Sequence, residues 1–246
     1  MPLMAHLREF RQRLIWSVIA IAIASIVGWV FYDVVFEWLK IPYDNAVPAL
    51  EGKGVDSEFV FTGIGGGFQF QLRISLIVGV LLSSPVWLWQ FWAFVLPGMH
   101  RHERKAALLL TGTCIPLFTA GAYFGYVMMP KVVEILIGFV PRGSSSLLTA
   151  TDYFTFMTRM MLVFGLGALL PVVIVALNRV GVLSAKALVH ARPWSVVGIF
   201  VFAAIATPTP DPGTMTFLAV PLTVLYFVAE TLVRIHDKRH PREEIE

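Results

Sequence analysis

The residues able to do chemistry lie in two stretches that flank apolar runs. The first is His6-Leu7-Arg8-Glu9-Phe10-Arg11-Gln12-Arg13-Leu14. Leu7, Phe10 and Leu14 recur at helical spacing, so the stretch reads as an amphipathic turn lying in the membrane interface ahead of the first helix. Its arginines suit a positive-inside anchor, and Glu9 is the residue that such an anchor does not need. The second stretch, residues 84–105, is Ser-Pro-Val-Trp-Leu-Trp-Gln-Phe-Trp-Ala-Phe-Val-Leu-Pro-Gly-Met-His-Arg-His-Glu-Arg-Lys. Its aromatics alone would form an interfacial belt, with Pro85 kinking a helix, Pro97 ending it and Glu103 an ordinary loop acid.

That chemistry is binding rather than bond-making. The sequence has no Gly-x-Ser-x-Gly and no His-Glu-x-x-His, so no catalytic residue, metal or cofactor is expected. His100 and His102 flank a turn without a third ligand, and the single Cys114 lies inside an apolar run as a packing residue. Gly63-Ile64-Gly65-Gly66-Gly67 lacks the following Gly-Lys-Ser/Thr of a phosphate loop and reads as a flexible entry to a helix.

The elements that position these residues are membrane helices. The chain is 57% hydrophobic and 14% charged, with mean hydropathy +0.74 and a pI near 9.1, whereas soluble domains carry about 25% charged residues. Six apolar segments emerge, at about 14–36, 70–96, 106–129, 153–178, 194–206 and 215–233. Their uncharged interiors argue for helices, since backbone in lipid must satisfy its own hydrogen bonds. The first run has no small-residue cleavage site and reads as a permanent helix. Loops at about 37–69 and 130–152 face one side. The other side carries Arg8, Arg11, Arg13, Arg101, Arg104, Lys105, Arg179, Lys186, Arg192, Arg234, Lys238, Arg239 and Arg242, thirteen basic residues. They oppose four: Lys40, Lys53, Lys131 and Arg142. This bias places both termini in the cytoplasm and explains the basic pI without nucleic acid. The fifth segment is short, 13 residues before Thr207-Pro208-Thr209-Pro210-Asp211-Pro212. It predicts a concave, glove-like wall of helices with a water-filled dent.

Taken together and in order, the two stretches resemble the twin-arginine protein translocase family TatC. The family pattern is approximately His-Leu-x-Glu-Leu-Arg-x-Arg-Leu, then Ser-x-Pro-x-x-x-x-Gln-x-Trp-x-Phe-x-x-Pro-x-Leu-x-x-x-Glu-Arg. Here Phe10 and Met99 stand where the family has Leu. Gly121-x-x-Phe124-x-Tyr126-x-x-x-Pro130 closing the third segment, Asp211 and Pro221 fit as well, and the resemblance covers residues 1–246 as one polytopic membrane domain.

The resemblance implies a receptor and translocase core in a bacterial-type cytoplasmic membrane. It would bind the Arg-Arg signal peptide of folded cargo and assemble with TatB, TatA and further copies of itself for export driven by the proton-motive force. Carried over residue by residue, the signal contacts would be Glu9 and Glu103, supported by Arg11, Gln90, Phe94 and Arg104. Pro42, Phe68, Pro85, Pro97, Tyr126 and Asp211 would have structural or partner-contact roles. The physics agrees, because a carboxylate accepts the planar fork of a guanidinium in a way lysine cannot copy. Two positions depart from the family. Leu169 stands where many members carry a fourth-helix glutamate. Phe227 stands where many carry a sixth-helix acid, and the nearest acid, Glu230, is expected one turn on at the interface. A small-solute transporter is the rival reading, but midplane ionisable groups of the kind such proteins use are nearly missing.

Overall fold

A computed structural model describes residues 3–51, 65–95, 104–137, 150–179, 181–207 and 212–239. Regular structure among the described residues is entirely helical: α1 Leu3–Val30, α2 Tyr32–Glu51, α3 Gly66–Leu82, α4 Ser84–Val95, α5 Arg104–Ile137, α6 Ala150–Ala168, α7 Leu170–Arg179, α8 Ala185–Ala206 and α9 Pro212–Arg239. Four helical stretches are long and apolar enough to cross a membrane: His6–Val30, Thr151–Arg179, Ala185–Ala206 and Pro212–Lys238. Gly66–Leu82 and Ser84–Phe94 pass the same test together as a bent pair. The remaining expected segment, 106–129, lies on α5.

Several boundaries differ from expectation. The amphipathic turn at 6–14 is not a separate interfacial element but the first turns of α1. The chain barely pauses at Phe31, whose N–H still donates to Val27 and whose carbonyl still accepts from Val35, both at 3.0 Å. The expected loop at 37–69 therefore begins as helix, and α2 runs to Glu51 through the buried Pro42. Pro130 does not close the third segment, because α5 continues through Pro116 and Pro130 to Ile137. Packed neighbours let a long helix absorb the hydrogen bond each proline forfeits.

The fifth helix is not short. α8 has 22 residues, about 33 Å of helix against a core of about 30 Å. Arg192-Pro193 marks the end of the apolar run at 194–206 but not of the helix, which begins at an N-cap where the Ser184 hydroxyl accepts from the Ala187 N–H at 3.2 Å. The expected dent also differs in character. A cavity of about 570 Å³ lies beside α8, but its lining is chiefly apolar, including Leu170, Ile174, Ile199, Phe202 and Leu222.

Pro85 does bend the second span, by 54° between α3 and α4. The turn is stitched by Val86 N–H to Ser83 O at 2.9 Å and by the Trp87 indole N–H to Val80 O at 2.9 Å. A side-chain donor thus serves a carbonyl at the break, as a helix in lipid requires.

The centre of the molecule is the α6–α7 span. Of its most apolar window 56% is buried inside the protein, against 39% for α9, 11% for α8 and 6% for α1. Phe154 of α6 meets Phe36 of α2 and Phe70 of α3 at ring distances of 5.3 and 5.2 Å. Glycine permits the closest helix crossings. A Cβ on Gly121 of α5 would stand 2.5 Å from the Phe164 carbonyl oxygen, and one on Gly79 of α3 would stand 2.7 Å from the backbone nitrogen of Ser25. Both are closer than real Cβ contacts allow, so these crossings fix α5 on α6 and α3 on α1.

Candidate functional site

The start of α1 and the whole of α4 present facing stripes. His6, Glu9, Phe10, Arg13 and Ser17 recur at three- and four-residue spacing on α1, as do Trp87, Gln90, Phe91 and Phe94 on α4. The bend after α3 directs α4 against α1, and the stripes meet. The His6 and Phe94 rings stack at 4.4 Å with 22° between planes, and Phe10 lies 5.3 Å from Phe94. Between the helices is a groove of about 250 Å³ lined by Phe10, Arg13, Ser17, Trp87, Gln90 and Phe94, among others.

At the mouth of this groove stands one polar cluster. The Arg13 guanidinium donates twice to Glu9 Oε1, from Nε at 3.0 Å and Nη2 at 2.7 Å. Its third donor, Nη1, reaches Gln90 Oε1 on α4 at 3.3 Å. Both charged side chains are 27% exposed, so the pair is partly shielded from water yet reachable. An acid and an amide carbonyl converging on one guanidinium, beside aromatic rings packed between the same two helices, can recognise a planar cation. Their chemistry is binding.

The expected residues divide. Glu9, Gln90 and Phe94 come together, whereas Arg11 is exposed and lies off the stripe. Glu103, Pro97 and Asp211 lie outside the described residues, as do His100 and His102. Arg104 opens α5, and its side chain is likewise outside them. Pro85 sits exposed at the bend, Pro42 is buried in α2, and Phe68 is an exposed ring 5.7 Å from Trp29. Tyr126 is buried against Trp38, with planes 7° apart and ring centroids at 4.3 Å, and donates its hydroxyl to the Trp38 carbonyl at 2.8 Å. That contact ties α5 to α2.

Sequence reasoning passed over Arg13 and His6. The signal for Arg13 was present, since Glu9 precedes it by four residues, the favoured order for a helical ion pair. A second cluster was also missed. Glu230 does not simply reach an interface. It is 2% exposed, accepts from Arg192 Nε at 2.7 Å and from Arg192 Nη2, and pairs with Arg234 Nη2 at 2.6 Å. Asp237, one helical turn beyond Arg234, accepts from Asn178 Nδ2 at 2.9 Å and from the Ala185 N–H at 2.8 Å. These contacts clamp α8 and the end of α7 to α9. At the two departing positions, Leu169 is buried beside Cys114 and Phe118, while Phe227 is exposed. Among the described residues no three His, Cys, Asp or Glu side chains converge as metal ligands would.

Comparison with known proteins supplies the context. Residues 5–221 match the family described as Sec-independent protein translocase protein (TatC). The Sec-independent protein translocase protein TatC of Frankia casuarinae is 39% identical, over 98% of this chain and 68% of its own length. Its counterpart in Xylanimonas cellulosilytica is 38% identical over 98% of this chain and 87% of its own length. A crystal structure described as the twin arginine translocase receptor TatC in DDM superposes with a TM-score of 0.81 at 33% identity, covering 93% of this chain and 99% of that one. A second crystal structure described as that receptor gives 0.79 at 32% identity, covering 94% of this chain and 98% of the other.

Proposed function

This chain belongs to the TatC family of Sec-independent protein translocases, and from that premise we propose that it is the signal-peptide receptor and core subunit of a twin-arginine translocase. It is a membrane translocase component. The finer reading makes it a single domain of six spans in a bacterial-type cytoplasmic membrane, with both termini inside. There it binds the Arg-Arg motif of folded cargo and works with TatB, TatA and further copies of itself.

The observation that supports this reading best is the meeting of Glu9, Gln90 and Phe94 at one groove mouth, though they come from helices far apart in sequence. Those are three of the positions at which the family resemblance puts signal contacts. An exposed ion pair contributes only about 0–1 kcal/mol, and the partial burial of Glu9 and Arg13 raises what a carboxylate gains from a guanidinium there. Glu103 supplies the second acid, one carboxylate for each signal arginine. Tyr126, Pro42, Phe68, Pro85, Pro97 and Asp211 hold the scaffold or meet partner subunits.

The test is crosslinking of a radiolabelled twin-arginine precursor, through a photoreactive residue at position 94, in membranes holding equal amounts of each variant. Glu103→Gln and Glu9→Gln are each expected to reduce crosslinking, the first more strongly, and Glu103→Arg more again. A Lys-Lys precursor crosslinks poorly to the parent and is rescued by neither neutral variant. Full crosslinking with Glu103→Gln would overturn the two-carboxylate clamp and shift recognition to the aromatic groove.

A further inference from the structure

Resting on the reading that the α1–α4 groove receives a signal arginine, we infer that Arg13 is the receptor's own occupant of that place. An incoming guanidinium must displace it, and Arg13 thereby sets the selectivity of the site.

Three of Arg13's N–H donors are engaged, two by Glu9 Oε1 and one by Gln90 Oε1. Those acceptors come from two helices, and the His6, Phe10 and Phe94 rings stand at the same junction. Carboxylate, amide carbonyl and rings form a seat for a planar cation, and the chain has already filled it with a planar cation of its own. Arg8 and Arg11 are exposed and do not share it. The seat therefore opens by exchange: one guanidinium leaves Glu9 for water as another takes its bonds. The number of charge pairs is unchanged, and Glu9 never stands uncompensated.

Exchange has a consequence for specificity. A signal arginine offers the same fork as Arg13 and competes on equal terms. A signal lysine offers a compact, strongly hydrated ammonium that cannot reproduce the planar set of donors reaching both Glu9 and Gln90. It must displace a better ligand than itself. Arg13 thus acts as a threshold that lysine does not clear, and it also keeps the affinity for genuine signals moderate.

The experiment measures binding of fluorescent signal peptides, Arg-Arg and Lys-Lys, to the purified full-length protein in detergent. Arg13→Gln is expected to tighten Arg-Arg binding by about two- to tenfold, the range of one partly exposed ion pair plus one charged hydrogen bond. It should also narrow the ratio between the two peptides. Arg8→Gln removes the same charge nearby without emptying the seat, and is expected to change affinity less than twofold. The gain should vanish in Glu9→Gln/Arg13→Gln. Arg13→Lys, which keeps charge and helix propensity, should fall between parent and Arg13→Gln and guards against a folding artefact. Weaker binding by both Arg13 variants, or equal effects of Arg13→Gln and Arg8→Gln, overturns the inference. If Glu9→Gln alone weakens binding while Arg13→Gln does not tighten it, the occupant idea fails and the receptor site stands. If Glu9→Gln alone changes nothing, both fail together.

Discussion

At Glu230 one buried carboxylate serves two guanidinium groups from different helices, Arg192 on α8 and Arg234 on α9. Neutralising it leaves both cations beside an uncharged amide whose single oxygen replaces two charged acceptors. Glu230→Gln is expected to lower stability by about 1–3 kcal/mol, read as a fall in thermal midpoint in detergent. Arg192→Gln should cost less, because Arg234 still pairs with the acid. Equal midpoints for parent and Glu230→Gln would show that α8 is held by its apolar contacts alone. The residue scale is also where sequence reading was weakest. Glu9, Gln90 and Phe94 could be picked out by resemblance, but nothing local shows that Gln90 meets a residue 77 positions away, or Asp237 one 59 away. Arg11 and Arg13 both stand in the family pattern, and it is the helix, which places every fourth residue on one face, that sets Arg13 beside Glu9.

Among the elements, apolar composition located the four long apolar helices and the bent pair, and proline misled on their ends. Pro85 bends the chain as expected, yet Pro130 and Pro193 lie within helices that continue. A proline removes one donor. Whether that ends a helix depends on capping and on neighbours far away in sequence. Ser184 caps α8 ten residues before the apolar run begins, which is why hydropathy alone gave a helix of 13 residues rather than 22. Glycine marks the tightest crossing. Gly79→Ala sets a methyl group against the backbone of Ser25 as well as its hydroxyl, and is expected to cost about 1–3 kcal/mol. Adding Ser25→Gly removes the hydroxyl but not the backbone, so rescue in a melting experiment should be partial. Complete rescue would mean that the hydroxyl, at 2.1 Å, was the whole obstacle.

For the molecule as a whole, the thirteen-to-four bias of Lys and Arg makes topology testable. Single cysteines at Ser57 and Ser145, in a Cys114→Ala background, should react with an impermeant maleimide added outside. One at Lys186 should react only after the membrane is opened. Labelling of position 186 from outside would refute the six-span orientation. The global class and the family were legible because composition and motif order survive without coordinates. The division between a deeply buried centre and a little-buried periphery was not, since it depends on which apolar faces meet protein and which meet lipid. That division bears on how the receptor carries load. The site rides on α1, whose most apolar window is only 6% buried within the protein, while the mass of packing lies in α6 and α7. It is an outrigger, not the hull. A folded cargo tugging on its signal pulls first on this spar. The strain passes to the lashing at Ser25 and Gly79, and through α3 to the keel.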